Sequence, residues 1–438
     1  MTARAAPQSV LILGGGLTGL TTAFQLKQHG YRVALLDHPR WQDGFGCNPS
    51  DAVPVMFGRH HETWRLLRAF NSSPSFDVDT TLSLEFRLPD ARMVAYRATH
   101  LPGALQWMMS LFNFHGLAWH DRWNLFSHLE QIWEQAQSLP ADLEGRIADE
   151  WLRTIGQSDA ARRNIWHPLA RWLTGNHLTR LSAATFVQLL STLFLGQAMD
   201  ARLTHVQGSV EDRLIAPLRR ALTSPDTAIH RLTELPHVRF ESQEISGVHM
   251  PDGTILHARW YVSAVSHDHL LALLPERLLT RYAYFAQLGD LQTLGDITVQ
   301  LTCRSPAPPA RIVLLAEQPF QRLALTPFGP ETCRLSMSHS DAPAEAPDGE
   351  LASLAEATLH TLRDAIQVDQ VLGVDVHRDK HAALALAPGA NLLRPIPQSP
   401  VSNFLVAGAW TDTGWPAGVE SAILSARRCA EAICNADV

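Results

Sequence analysis

Gln8-Ser9-Val10-Leu11-Ile12-Leu13-Gly14-Gly15-Gly16-Leu17-Thr18-Gly19 is the stretch that decides the fold. Its apolar run, stopping at Gly14, predicts a buried strand, and the spacing of Leu17, Leu20, Phe24 and Leu26 predicts a helix that ends before Gly30. A second apolar run over residues 31–36 ends on Asp37, eighteen residues beyond Gly19. Strand, glycine turn, helix, strand and acid, in that order, form a dinucleotide-binding pattern rather than a merely structural glycine turn. Gly14 permits the tight turn, Gly16 lets a pyrophosphate approach the backbone, and Gly19 lets helix and strand pack closely. The helix start at Leu17 and Thr18 offers N–H groups and the positive end of the helix dipole to an anion. Asp37 can accept hydrogen bonds from the adenosine ribose hydroxyls.

Around this stretch lie 438 residues, enough at roughly 150 per domain for about three units or for one discontinuous domain with large insertions. With 46% hydrophobic and 18% charged residues, the composition is that of a globular chain. Lys and Arg total 36 against 43 Asp and Glu, so no basic excess exists to hold a nucleic-acid backbone. The five cysteines contain no CxxC pair, which suits reduced thiols in a cytosol. No signal peptide is expected, because the apolar run from Val10 is broken by three glycines. Residues 98–120 and 181–199 carry no Asp, Glu, Lys or Arg, but both are seeded with small and polar residues and read poorly as membrane spans.

Helical periodicity dominates from residue 102 to about 222, with Ser209 and Asp212 spaced as a capping box. Strands are expected over residues 237–243, 247–250, 254–265, 296–303, 311–316, 321–326 and 332–337, followed by a helix near 351–366. The chain closes on a strand over 403–407, a glycine-bearing turn over 408–415 and a helix opening at Pro416, where proline costs no hydrogen bond.

That closing stretch chooses the dinucleotide. Residues 404–422, FLVAGAWTDTGWPAGVESA, resemble the second flavin signature of the amine oxidase and phytoene desaturase superfamily, in particular that of the squalene-associated desaturases, or hydroxysqualene dehydroxylases. A helix start aimed at the N1/C2=O edge of a flavin would stabilise the negative charge of the reduced ring. Glu62-Thr63, Glu150-Trp151-Leu152, Ile165-Trp166-His167-Pro168-Leu169 and residues 382–395 resemble further parts of that family. The resemblance implies an α/β fold: a discontinuous FAD-binding Rossmann-like domain (1–70, 205–270 and 396–438) and an inserted helical plus antiparallel-sheet substrate domain (71–204 and 271–395). It adds Gly408, Ala409, Gly414, Trp415, Pro416 and Ala417 to Gly14, Gly16, Leu17, Thr18, Gly19 and Asp37 as FAD-binding candidates.

The implied activity is hydride transfer at flavin N5 on an apolar isoprenoid-type substrate. No catalytic acid or base is identified. The sequence also departs from the family. Gly44-Phe45-Gly46-Cys47 stands where the family has Gly-Gly-Arg, and Asp51-Ala52-Val53-Pro54 where it has Asn-Gly-Gln-His. Ala409 replaces an Asp and Ser421 a Gly. Each lost hydrogen bond is worth about 0.5 to 1.5 kcal/mol. An amine oxidase-like, pathway-specific flavin oxidase and a non-catalytic homologue with weakened FAD binding therefore remain alternatives.

Residues 98–120 suit either a buried helix pair or a greasy tunnel mouth that touches a bilayer, so peripheral membrane contact is kept beside a cytoplasmic location. His60-His61 and His267-Asp268-His269 lack a third ligand at a familiar spacing and read as surface or capping histidines, with no metal expected. Cys429 and Cys434 read as packing residues, and Gly208-Ser209 lacks the flanks of a nucleophile elbow.

Overall fold

The strand Ser9–Leu13 (β1) is apolar on both faces, as a strand must be when helices cover the sheet on either side, and Val10 to Leu13 are all at most 1% exposed. In the computed structural model β1 is the middle of a five-stranded parallel sheet. Its order is Phe404–Val406, Trp260–Ser263, β1, Arg32–Asp37 (β2) and Thr227–Arg231. The structure describes residues 9–437 apart from 42–43, 48–54, 71–75, 79–82, 100–103, 129–140, 196–199, 201, 207, 225, 242, 306–310, 330, 340–344, 363–365 and 367.

From β1 the chain passes through helix α1 (Leu17–Gln28) to β2 on one side, and the strand on the other side is Trp260–Ser263. Strand order therefore reverses at β1, and ligands of open α/β sheets bind at such a switch point. Gly14 makes the exit: its φ is +114° and its N–H donates to Leu36 O at 2.8 Å. Helix α1 starts so close to that turn that a Cβ on Gly19 would stand 1.9 Å from Gly14 O.

A second sheet has seven strands, in the order Gln370–Leu384, Thr293–Arg304, Thr332–His339, Arg322–Gly329, Arg311–Leu315, Ser83–Arg87 and Met93–Arg97. It is antiparallel except where Arg311–Leu315 runs parallel to Ser83–Arg87. The helix Asp348–Thr361 packs on it, burying Leu351, Ala355 and Leu359 in its own core. Two small three-stranded sheets stand beside these, one of Ile255–Leu256, Glu244–His249 and His237–Glu241, the other of Met56–Phe57, Leu203–Val206 and Phe76–Val78. The expected class, a Rossmann-like domain with an inserted sheet and helices, is the one observed.

Several local expectations are corrected. The closing helix begins at Val419, not at Pro416, and runs to Ala436, with Gly418 as its N-cap. Thr227–Arg231 was not anticipated because as an edge strand it is mostly exposed and shows no apolar alternation. Gln370–Leu384 was missed because its apolar alternation is confined to Val374 and Val376, which pack on the second core, and gives way to the polar run Arg378-Asp379-Lys380. Strands Ser83–Arg87, Met93–Arg97 and Leu203–Val206 were also unforeseen, the last inside the stretch read as helical.

Within the stretch read as helical, Trp119–Ser127 is one of the helices. In two places a π turn precedes a proline, Arg162–Trp166 before Pro168 and Glu211–Ile215 before Pro217. The wider turn accommodates a residue that has no N–H to donate and whose ring would clash with the carbonyl four residues back. The capping box forms: Ser209 Oγ accepts from Asp212 N at 3.1 Å, and Asp212 Oδ2 accepts from Ser209 N at 3.4 Å. The Ser209 hydroxyl holds the Asp212 carboxyl below its usual range.

Replacing Gly19 by Val is expected to lower unfolding free energy by about 3 kcal/mol or more, because the new Cβ meets backbone that cannot move aside. Gly289→Ala, where no atom lies within 4 Å of the added carbon, should stay within about 0.5 kcal/mol. Urea denaturation of both variants measures the contrast.

Candidate functional site

Both ends of the chain meet at the carboxyl edge of the parallel sheet. A Cβ on Gly14 would stand 2.6 Å from Ala264 O, and the next residue, Val265, accepts through its carbonyl a hydrogen bond from Trp410 Nε1 at 3.1 Å. The N-terminal glycine turn and the C-terminal turn thus share the Ala264-Val265 backbone as a common wall. Gly15 needs its missing side chain, since a Cβ would lie 2.3 Å from Asp37 Cγ. The Asp37 carboxyl therefore leans over the turn from the end of β2. Gly16 caps α1 with no side-chain hydrogen bond, and the first turn, from Leu17 through Thr18 and Gly19, contains no acid. Such a helix start is suited to a bound anion.

The C-terminal turn is held from inside by hydroxyls. Ser425 Oγ accepts from Gly408 N at 3.0 Å and lies 2.7 Å from Thr411 Oγ1. Ser421, standing where the family has Gly, donates to Ala409 O at 2.7 Å and lies 2.6 Å from Thr413 Oγ1. Arg394 reaches in from the preceding segment, donating to Trp410 O at 3.2 Å and Thr411 O at 2.6 Å. Burial pulls its guanidinium down to about 10, so it stays charged at neutral pH. Ala409 is buried, whereas Trp415, Pro416 and Ala417 are half-buried around Gly414, whose φ is +80°.

Glu420 ties this turn to the helix His61–Ala69 (α2). Its carboxylate accepts from Glu62 N at 3.1 Å, Thr63 N at 2.9 Å and Thr63 Oγ1 at 2.6 Å. It satisfies the orphan N–H groups of α2 from 358 residues away, and burial raises its pKa against the opposing pull of these bonds. Neither Glu420 nor Arg394 was singled out by sequence reasoning. A buried charge inside a motif was the signal available for Glu420.

His60 and His61 part company. The His60 ring stacks edge-on against Trp415 at 5.0 Å and Phe57 at 5.5 Å, and Phe57 in turn contacts Trp172 at 5.6 Å. Burial, reinforced by neighbouring His61, pushes His60 down to about 3, so it is a neutral wall residue; of the surface or capping roles expected it takes the capping position, at the N-cap of α2. His61 faces Asp200 at 3.7 Å. His267 is also buried, 5.8 Å from the Trp410 ring, and burial lowers its pKa. Among the described residues no three metal-ligating side chains converge. Cys429 is buried and its thiol is pushed up by burial. The counterpart of the family's Asn-Gly-Gln-His stretch, residues 51–54, lies outside the described residues.

A small apolar cavity lies among the helices and the second sheet. Phe86, Leu111, Phe114, Trp166, Leu169 and Leu190 are among its lining, which includes no acidic or basic side chain. Two helices connect it to the C-terminal turn. His167–Thr174 carries Leu169 in the cavity and Trp172 against Phe57. Ala183–Leu190 carries Leu190 in the cavity, and its Gln188 Nε2 lies 3.5 Å from where a Cβ on Gly414 would be.

The family described as flavin containing amine oxidoreductase matches residues 52–434, and an NAD(P)-binding Rossmann-like domain matches residues 12–46. The chain is 23% identical to zeta-carotene desaturase of Synechocystis sp. over 97% of its length and 96% of that protein. It is 23% identical to 15-cis-phytoene desaturase of Solanum lycopersicum over 98% of its length and 78% of that protein. A solved oxidoreductase from Methanosarcina mazei shares the fold with a TM-score of 0.70, at 15% identity, covering 98% of this chain and 100% of that one.

Glu420→Gln should cost about 2 kcal/mol, because an amide NH2 would face backbone donors that now share two carboxylate oxygens. A fall in the urea midpoint with an unchanged denaturant slope is the expected reading.

Proposed function

The chain belongs to the flavin containing amine oxidoreductases and is an FAD-dependent oxidoreductase of the amine oxidase and carotenoid desaturase type; from that premise we propose that it acts on an apolar isoprenoid-type substrate, as a hydroxysqualene dehydroxylase does. What supports this reading is the match along nearly the whole chain to zeta-carotene and 15-cis-phytoene desaturases, together with the apolar, aromatic surroundings of Trp415.

In this reading the residues divide the cofactor between them. The turn from Gly14 to Gly19 and the uncapped start of α1 would receive the diphosphate, and Asp37 the ribose hydroxyls. Gly408, Ala409 and the stretch from Gly414 to Ala417 would hold the flavin end. The fit favours the group: Gly14, Gly15 and Gly19 let the turn fold tightly against Ala264, Asp37 and the start of α1, and α1 has no side-chain cap of its own.

When bound, the flavin supplies hydride transfer at N5. The chain's own residues orient and dehydrate. Phe57, Trp172 and Trp415 build a wall of rings that would keep water from the reacting end of an apolar substrate, and His60 stays uncharged among them. Ser421 and Ser425 fix the turn in the absence of the family's Asp at position 409.

The purified protein is expected to show flavin absorption bands and, supplied with a reductant under anaerobic conditions, to consume hydroxysqualene while leaving primary amines untouched. Turnover of amines and not of isoprenoids would refute the substrate reading. Gly16→Glu, which adds bulk and negative charge at the start of α1, is expected to lower FAD affinity by about tenfold or more while leaving the circular dichroism spectrum unchanged. Equal flavin content in that variant would refute the placement of the diphosphate.

A further inference from the structure

His60 is a polar ring set into an apolar wall, between Phe57 and Trp415 and edge-on to them at 78° and 79°. The turn that leads into α2 fixes it there. Phe57 O accepts from His60 N and from Trp64 Nε1, both at 3.0 Å, and His60 Nδ1 accepts from Phe57 N at 3.4 Å. The lone pair of Nδ1 is therefore used inside the turn. Because burial keeps the imidazole neutral, its one N–H proton sits on Nε2, and the ring donates a hydrogen bond at that atom and nowhere else.

The fold leaves that donor open. Asp200, the acid beside this turn, holds Arg59 at 2.9 Å and faces His61 at 3.7 Å. Among the described residues Nε2 has no partner, and it is not one of the sealed polar atoms of the core, since the ring keeps part of its surface accessible. An N–H in such a wall is unfavourable unless water or a ligand atom completes it. A hydrocarbon entering along Trp415 would displace the water and lose the bond, whereas a chain that carries oxygen would replace it. A site built with a donor discriminates in this way against an analogue that lacks the acceptor.

Given an isoprenoid-type substrate, on which this inference rests, we propose that His60 Nε2 donates to an oxygen of that substrate, so that the site selects an isoprenoid alcohol over the corresponding hydrocarbon. His60 is then a specificity-determining residue placed beside the flavin motif by Trp415. A ring that only completes the turn into α2 would confer no such selection.

The test uses the flavin-loaded protein in its oxidised form, titrated with hydroxysqualene and with squalene, so that flavin absorption changes give each dissociation constant without turnover. The wild type should bind the alcohol about three- to tenfold more tightly, the range of one hydrogen bond. His60→Phe, which keeps a ring in the wall and removes the donor, should bring the two constants within about twofold of each other with flavin content unchanged. His60→Gln, whose amide can donate, should restore part of the preference. In protein carrying isotope-labelled histidine, the ring-nitrogen signal that is missing from His60→Gln should shift when hydroxysqualene is added and stay in place with squalene. That readout is made on the wild type and decides the matter if His60→Phe loses its flavin. An alcohol preference that survives in His60→Phe overturns the proposal. So does a nitrogen signal that moves on flavin loading and not on alcohol binding, which would assign the donor to the cofactor. Wild-type protein that binds both compounds without preference refutes the role of His60 alone; failure to bind either refutes the isoprenoid reading, and this inference with it.

Discussion

The close approach of backbone to backbone at Gly14, Gly19 and Ala264 is the contact on which the rest of the molecule depends. Helix α1 can begin immediately after β1 only because no side chain separates Gly19 from the Gly14 carbonyl, and the turn can lie against the neighbouring strand only because Gly14 presents nothing to Ala264 O. This brings the start of a helix to the point where strand order reverses, the place in an open parallel sheet where backbone N–H groups face a crevice. The other elements of the site are arranged around that fixed point.

The C-terminal turn reaches it by a different physical route. Its position is set by hydrogen bonds from Trp410 and Arg394 and by the hydroxyls of Ser421 and Ser425, groups that fix backbone carbonyls and one backbone N–H instead of reaching toward a ligand. The Ser421 hydroxyl, an addition relative to the family, lies on the carbonyl of Ala409, where the family's carboxylate is missing. Two departures that look like independent losses in the sequence are therefore neighbours in space, one hydroxyl bonded to the residue that lost its acid. Glu420 extends the same network to α2, so the two motifs and the first helix beyond them form one hydrogen-bonded unit.

The apolar segment around Met108 to Trp123 links the interior to the surface. Sequence left open whether residues 98–120 were a buried pair of helices or an exposed greasy face. The described part is both, because alternate sides of the helices carry apolar residues and only one side meets the core. Among the described residues no helix is long and apolar enough to cross a membrane.

The sequence by itself determined the things that depend on neighbours along the chain: β1 from its apolar run, the turn from its glycines, α1 from its spacing, the Ser209–Asp212 box, and the family from residues 404–422. It misplaced the start of the closing helix because proline suits a first helical turn and a preceding loop equally, and only the packing around Gly418 settled which. It missed the edge strands Thr227–Arg231, which is mostly exposed, and Gln370–Leu384, whose apolar alternation is too short to stand out beside its polar run. The tertiary structure alone decided that His60 is neutral among rings, that Glu420 caps a helix 358 residues away, and which face of an apolar helix pair is covered. Burial and long-range hydrogen bonding depend on residues far apart in the chain, and local sequence holds no record of what will be packed against it.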